Sequence, residues 1–240
     1  NSGGTGFTGG DVFDIEIDGS NNIWVGGTFQ TYNGTSSTGI IKLNSDGTIN
    51  TSFGTNLTGQ TGNIGVWDIQ LLSDNSILCG GSFTGYTGTG ANGLIKLNSD
   101  NTLNTTFTTN FNNITYRAAI YGIGVQSTGK IILVGSFTNL TYPNGIGIIR
   151  INADGTLDNT FPIISSVTES VGANNLLVLS NDKFYVNLFY QDIVSGSQYA
   201  NYNRYNSDGT VDSSFTTNTF TNTLQNTASN ENTCLIPNGD

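Results

Sequence analysis

Ile40-Ile41-Lys42-Leu43-Asn44-Ser45-Asp46-Gly47-Thr48, closed by Phe53, is the stretch that decides the fold. It recurs without gaps as Leu94 to Phe107, Ile148 to Phe161 and Tyr202 to Phe215. The closing phenylalanines stand at 53, 107, 161 and 215, so each step is 54 residues. The basic residue keeps the step as Lys42, Lys96, Arg150 and Arg204, and the acidic one as Asp46, Asp100, Asp154 and Asp208. Equal steps at several positions together mark an internal repeat rather than coincidence. These eight residues are expected to hold structural positions in every copy. The cation should sit on the third strand of each unit with the same partner, either the aspartate four residues on or a backbone carbonyl.

A second block precedes each of these: Ile23 to Phe29, Ile77 to Phe83 and Ile131 to Phe137. The fourth copy, Phe184 to Tyr190, comes one residue early and carries Asn187-Leu188 where the first has Gly26-Gly27. Loops absorb such slips readily. One unit holds four strand signals: Val12–Ile17, Ile23–Phe29, Gly39–Leu43 and Thr48–Phe53. Turns at Asp18 to Asn22 and Asn44 to Gly47 separate them, and Asp-Gly supplies the left-handed backbone a hairpin needs. No segment shows a helical period. The recurrent glycines suit a crowded interior, where a side chain would obstruct a neighbouring strand.

Four antiparallel strands repeated at this length predict an all-β protein, a β-propeller of four-stranded antiparallel blades. The blades are expected at approximately 8–53, 62–107, 116–161 and 170–215, in a single domain over 1–240. Residues 216–240 should open a further blade, because Cys234 to Gly239 matches Gln70 to Asn75. The chain therefore reads as an excerpt of a longer polypeptide. An open β-solenoid is the alternative, though its coils are usually shorter.

Composition narrows the function classes. Gly, Asn, Thr and Ser dominate, and only 10% of residues are charged. Such a chain could be disordered, but its apolar residues fall in short regular clusters. The net charge of −10, with seven basic residues, argues against nucleic acid and anionic membranes as partners. No apolar run is long enough to span a bilayer. Histidine is absent, so hydroxyl nucleophiles lack their usual activating base. Cys79 replaces Val25 and Leu133 in a strand and reads as a small core residue, not bonded to Cys234.

Gly26-Gly27-Thr28-Phe29 with Leu43 to Phe53, and their counterparts in the second and third units, resemble the delta-60 repeat family. The resemblance covers nearly the whole chain and departs in the fourth unit, where Tyr205 also replaces Leu43. It implies a β-propeller of uncharacterised function, found in large bacterial surface or secreted proteins and in phage tail or fibre proteins. It carries no catalytic residues.

The remaining candidates are binding residues. Tyr32 and Tyr86 occupy equivalent places in the long loop, and Tyr142 lies nearby in the third unit. Aromatic rings among Asn-rich loops suit carbohydrate or protein recognition, although packing between blades is the simpler account. Asp14 and Asp18, with Asn21 and Asn22, form the richest oxygen cluster and the one calcium candidate; hairpin turns are the simpler account. No other cofactor is expected. The Asp-Gly turns lack the spacing of a sialidase Asp-box, and the paired acids each have a place in a turn. The chain thus reads as a non-enzymatic structural or binding module, extracellular or on a virion surface. It would be phage tail or fibre-like, displaying loops for attachment or assembly; a bacterial adhesin repeat is the alternative and a glycan-active enzyme a remote one. Expected partners are other virion or surface-protein subunits and a host-surface glycan or protein.

Overall fold

The computed structural model describes residues 4–54, 57–58, 64–115, 117–138, 146–165, 171–191, 198–215 and 218–222. Small antiparallel sheets repeat along it with the sequence. The first unit holds β1 (Phe7–Thr8), β2 (Val12–Ile17), β3 (Ile23–Gly27), β4 (Thr31–Tyr32), β5 (Thr35–Ser36) and β6 (Ile40–Leu43). The second holds β7 (Leu57–Thr58), β8 (Gly65–Leu71), β9 (Ile77–Ser82), β10 (Gly85–Tyr86), β11 (Thr89–Gly90), β12 (Leu94–Leu97) and helix α1 (Thr105–Asn112). The third holds β13 (Arg117–Val125), β14 (Ile131–Thr138), β15 (Ile146–Ile151) and β16 (Ile164–Ser165). The fourth holds β17 (Val171–Val178), β18 (Phe184–Gln191), β19 (Gln198–Tyr205) and β20 (Asn218–Asn222).

Three strands are common to all units and pair in chain order: β2-β3-β6, β8-β9-β12, β13-β14-β15 and β17-β18-β19. Register follows the alternation of apolar residues. Val25 sits between Ile15 and Ile41, Cys79 between Ile69 and Ile95, and Leu133 between Ile123 and Ile149. The turn after the third strand needs a left-handed residue. Gly47 fills it at φ 82°, and Asn101 takes that place in the second unit at φ 69°, since Asn tolerates the conformation best after Gly.

The fourth strand expected over Thr48 to Phe53 shrinks to one bridge per unit: Leu43–Ile49, Leu97–Leu103, Ile151–Leu157 and Tyr205–Val211. The next residue ends it. Asn50 accepts from the Ser52 N–H at 3.1 Å, and Asp158 and Asp212 accept likewise from Thr160 and Ser214 at 3.0 Å. Each is an Asx turn that curls the backbone off the sheet. Asn104 accepts from Phe107 N–H at 2.9 Å and caps α1, a helix the sequence reading left out. A true fourth strand comes only after the closing phenylalanine, as β16 beside β15 and β20 beside β19. In the second unit β7 instead joins the hairpin β10-β11, as β1 joins β4-β5 in the first. The further blade expected over 216–240, like Cys234, lies outside the described residues apart from β20.

The core sits between units. One cluster joins Trp24, Ile40 and Phe53 to Ile69, Ile77, Cys79 and Ile95. The next joins Leu78, Leu94 and Phe107 to Ile123, Leu133 and Ile149, and a third joins Ile132, Ile148 and Phe161 to Leu176, Phe184 and Tyr205. The phenylalanines Phe29, Phe83, Phe137, Phe53, Phe107 and Phe161 are all buried, each worth roughly 1.5–3 kcal/mol. Cys79 is buried and free.

Candidate functional site

The first strand of each unit packs against the first strand of the next. Every one of them carries a bulge. Register shifts fall between Val12 and Asp14, Val66 and Asp68, Ile120 and Gly122, and Asn174 and Leu176. A bulge re-aims the extra residue, and in three units that residue is aromatic: Phe13, Trp67 and Tyr121. All three are half-buried. Trp67 and Tyr121 stack face to face across two units, with centroids 5.0 Å apart and planes within 2°. Phe13 borders an open cleft of about 590 Å³. The other walls of that cleft are Thr28, Gln30, Thr31, Ser36, Thr38, Asp11, Gly9 and Ile64. It therefore combines one ring with hydroxyls, an amide and a single acid.

Next to two of the bulges lie Asp14 and Asp68. Each accepts a hydrogen bond from the following unit: Asp14 Oδ2 from Ile69 N–H at 2.7 Å, Asp68 Oδ2 from Ile123 N–H at 2.5 Å. The two carboxyls also hydrogen-bond each other. Burial, reinforced by the charge on Asp14, pushes Asp68 up to about 8. Asp14 and Glu16 are raised as well, chiefly by burial. Sharing one proton is thus favoured between these two half-buried carboxyls at the contact of two units.

The repeated cations and aspartates have other partners than those anticipated. Asp46 accepts from Thr48 N–H at 2.9 Å and from its hydroxyl at 2.6 Å, and Asp100, Asp154 and Asp208 do the same for Thr102, Thr156 and Thr210. These aspartates cap their own turns and do not pair with the cations. Lys42 and Lys96 pair instead with Asp18 at 3.2 Å and Asp74 at 3.7 Å, in the first hairpin turn. Arg150 and Arg204 pair with Asp158 and Asp212, eight residues on, each at 2.7 Å.

The calcium candidate does not assemble. Asp14 points to the next unit, while Asp18 accepts from Ser20, Asn22 and the Trp24 indole and faces the Lys42 ammonium. Burial raises the Asp18 carboxyl, but the bonds from Asn22, Lys42 and Ser20 outweigh it and hold it at about 2. Among the described residues no group of three or more acidic, His or Cys side chains is placed to hold a metal. Tyr86 is buried, with its hydroxyl 3.3 Å from the Gly54 carbonyl, so it presents no ring to a ligand. Tyr32 is half-buried, packs on Phe7 and donates to the Gly47 carbonyl at 2.9 Å. Tyr142 lies outside the described residues. The aromatics that do line a cavity or stack were legible in principle: positions 13, 67 and 121 keep the step of 54.

No curated protein matches the chain. A family profile described as a domain of unknown function, DUF5122, beta-propeller, matches it four times, over residues 20–53, 72–107, 126–161 and 193–215. The first three matches each cover the second strand, third strand and closing phenylalanine of one unit, the fourth covers the third strand and Phe215, and together they take in more than half of the sequence. With its repeated sheets and inter-unit cores, the chain belongs to this β-propeller family of unknown function.

Proposed function

We propose that this chain is a non-enzymatic display and binding module, a propeller of four-stranded blades whose cleft beside Phe13 seats a neutral saccharide. The observation that carries this is the cleft lining. A ring flanked by threonine and serine hydroxyls and the Gln30 amide offers an apolar face beside uncharged donors and acceptors, a combination that fits a sugar ring. The charged groups of the repeat are engaged elsewhere, in turn caps and in ion pairs between strands, which supports a non-catalytic role. The setting rests on the family resemblance: a virion protein of phage tail or fibre type, or a bacterial surface adhesin, in either case outside the cytoplasm and assembled with other subunits.

The test is a panel of neutral oligosaccharides offered at about millimolar concentration, a weak-binding regime, with binding and hydrolysis both followed. A member of the panel should bind and remain intact. Phe13→Ala should weaken it roughly tenfold, the loss of about 1.4 kcal/mol of ring contact, with the melting temperature held. Hydrolysis of any member would overturn the non-enzymatic role. Failure of the wild-type protein to bind any of them would overturn the saccharide.

A further inference from the structure

The cleft beside Phe13 holds one formal charge, the carboxylate of Asp11. The backbone of Asp11 is pinned against Thr28, just past β3. Its N–H donates to Thr28 Oγ1 at 3.1 Å, and its carbonyl accepts from the Thr28 N–H at 2.8 Å. A methyl group on Gly27 would lie 2.1 Å from that carbonyl, and one on Gly10 would lie 2.4 Å from the Thr28 carbonyl. Glycine at both places lets the two segments close on each other, and the carboxylate is left exposed at a fixed point of the cleft.

That sets Asp11 apart from the other acids. The turn aspartates cap their own turns or hold the cations, Asp14 and Asp68 accept from the next unit, and Asp182 accepts from Ser127. Among the described aspartates, Asp11 alone has a carboxylate with no donor. The six cations whose side chains are described each pair with another aspartate, and none of them lines the cleft. The repeat does not require an acid here either. The matching places in the second and third units, opposite Ser82 and Ser136, hold Gly65 and Ala119.

A carboxylate is an acceptor with two oxygens and no proton to give. A sugar ring offers the complement, two adjacent hydroxyls that can each donate, and such charge-assisted bonds are roughly twice as strong as neutral ones. The threonine and serine hydroxyls and the Gln30 amide of the cleft both donate and accept, so they tolerate several arrangements of the ligand; the carboxylate accepts one. Resting on the saccharide reading of the cleft, we propose that Asp11 is its specificity-determining residue. The carboxylate accepts from two adjacent hydroxyls of the ring held on Phe13, so the ligand is a glycan in which those hydroxyls are free, and acidic glycans are refused. Refusal follows because no cation in the cleft would offset a second negative charge, in a chain whose net charge is already −10.

Calorimetry with the neutral trisaccharides of glucose, mannose and galactose, each at about millimolar concentration, selects the best-bound of the three. That probe is then compared with its monodeoxy and mono-O-methyl derivatives and with its uronic-acid and amino-sugar counterparts. On the wild-type protein, removing or methylating either of two adjacent hydroxyls should weaken binding at least roughly tenfold, and the uronic acid should not bind. Asp11→Asn should weaken the parent trisaccharide roughly tenfold, bind the two deoxy derivatives no worse than the parent, and admit the uronic acid. Asp11→Ala, which puts in the third unit's residue, is the second variant and should behave alike. Both should melt as the wild type does, since the bonds to Thr28 run from the backbone. A trisaccharide bound equally by the wild type and Asp11→Ala overturns the proposal and leaves the Phe13 cleft standing, as does a uronic acid bound by the wild type as tightly as the neutral sugar. An amino sugar bound more tightly than the neutral one overturns it too, because the carboxylate would then be pairing with an ammonium. A wild-type chain that binds none of the three removes the saccharide reading itself, and the proposal with it.

Discussion

The first two units and the last two solve the same electrostatic problem differently. In the first pair the cation is a lysine, its acid lies in the turn between the first two strands, and Asn50 and Asn104 stand eight residues on. In the second pair the cation is an arginine, Asp158 and Asp212 stand at that later position, and Lys130 and Lys183 join from the first hairpin turn at 2.7 Å and 2.8 Å. Three residues have changed together, and the cation, buried as Lys42 and Arg150 and half-buried as Lys96 and Arg204, is kept in all four. The arginine version is the tighter one. Asp158 carries Arg150 and Lys130 on one oxygen and the Thr160 hydroxyl and N–H on the other. Arg150 also stacks on Phe161 at 4.5 Å and donates at 2.7 Å to the Ser207 carbonyl of the next unit. A planar fork can serve several acceptors at once. The Lys96–Asp74 pair, by contrast, is 3.7 Å long with the Asp74 side chain 65% exposed. What the repeat preserves is a satisfied cation at one place, with the identity of its anion left free.

Removing the anion should separate the pairs most sharply. Asp158→Ala strands a nearly buried guanidinium beside an ammonium, and should cost about 3 kcal/mol. That is the low end for a broken buried pair, because Lys130 keeps access to water. Asp74→Ala should cost less than about 1 kcal/mol, as exposed pairs do. Denaturant melts of the two variants check this, and equal losses would show that burial does not distinguish the networks.

pH gives a second separation, because the carboxylates are displaced in opposite directions. Burial raises Asp158, but the bonds from Lys130, Thr160 and Arg150 outweigh it and hold it well below its ordinary 3.8. Its stabilisation is therefore fully present above about pH 4 and fades as pH falls below that. Asp68 lies at about 8 when folded against an ordinary 3.8. The native state then binds the extra proton across that window, so its contribution favours folding at low pH and is lost as pH rises from about 4 to about 8. Asp14, Glu16 and the Cys79 thiol are the groups facing it. Melts of Asp68→Asn should lose this decline between pH 4 and pH 8 while keeping the acid-side loss. A wild-type curve that is flat from pH 5 to pH 8 would contradict the shared proton.

The step of 54 made the sheets and their order legible, because apolar alternation and the Asp-Gly turn repeat with it. The fourth strand was not legible in the same way. Thr48 to Phe53 has strand-like residues, and what cuts it short is a side-chain bond from Asn50, which competes with the ladder. Helix α1 was hidden by the same alignment. Of its signals, the Asn104 cap and Phe107 recur in the first unit as Asn50 and Phe53, and only Phe111, four residues after Phe107, belongs to one copy. The cations stood out because all four copies keep them; their partners did not, since Asp158 and Asp212 replace asparagines in only two. Of the candidate site, Tyr32 and Tyr86 were found by counting loop aromatics, which carries no information on burial. Phe13, Trp67 and Tyr121 sit in strands whose alternation disguises the extra residue, so the bulge that turns them outward was visible only in the pairing.

The smallest effect tests whether the later position can be converted. Asn104 stands eight residues after Lys96, as Asp158 stands after Arg150. Asn104→Asp would place a carboxylate near an ammonium whose present partner is distant and solvated. Asp caps a helix as well as Asn does, so the bond to Phe107 N–H survives, and a negative charge at the start of α1 is favourable by about 0.3–1 kcal/mol. Against this stands the loss of the Asn104 amide bond to Asn98 at 3.0 Å. The third unit shows that the loss is tolerated, because Asn152 beside Asp158 keeps its own bond to Thr156 at 3.0 Å. A net gain of about 0.5 kcal/mol is expected, read by calorimetry and shrinking as salt screens the pair. Asn50→Asp in the first unit is the control. There Lys42 already has Asp18 at 3.2 Å and Asn101 at 3.1 Å, and no helix follows, so the gain should be smaller. Equal gains in the two units would mean that the helix end and the loosely paired lysine of the second unit contribute nothing, and that the difference between the networks lies in the arginine alone.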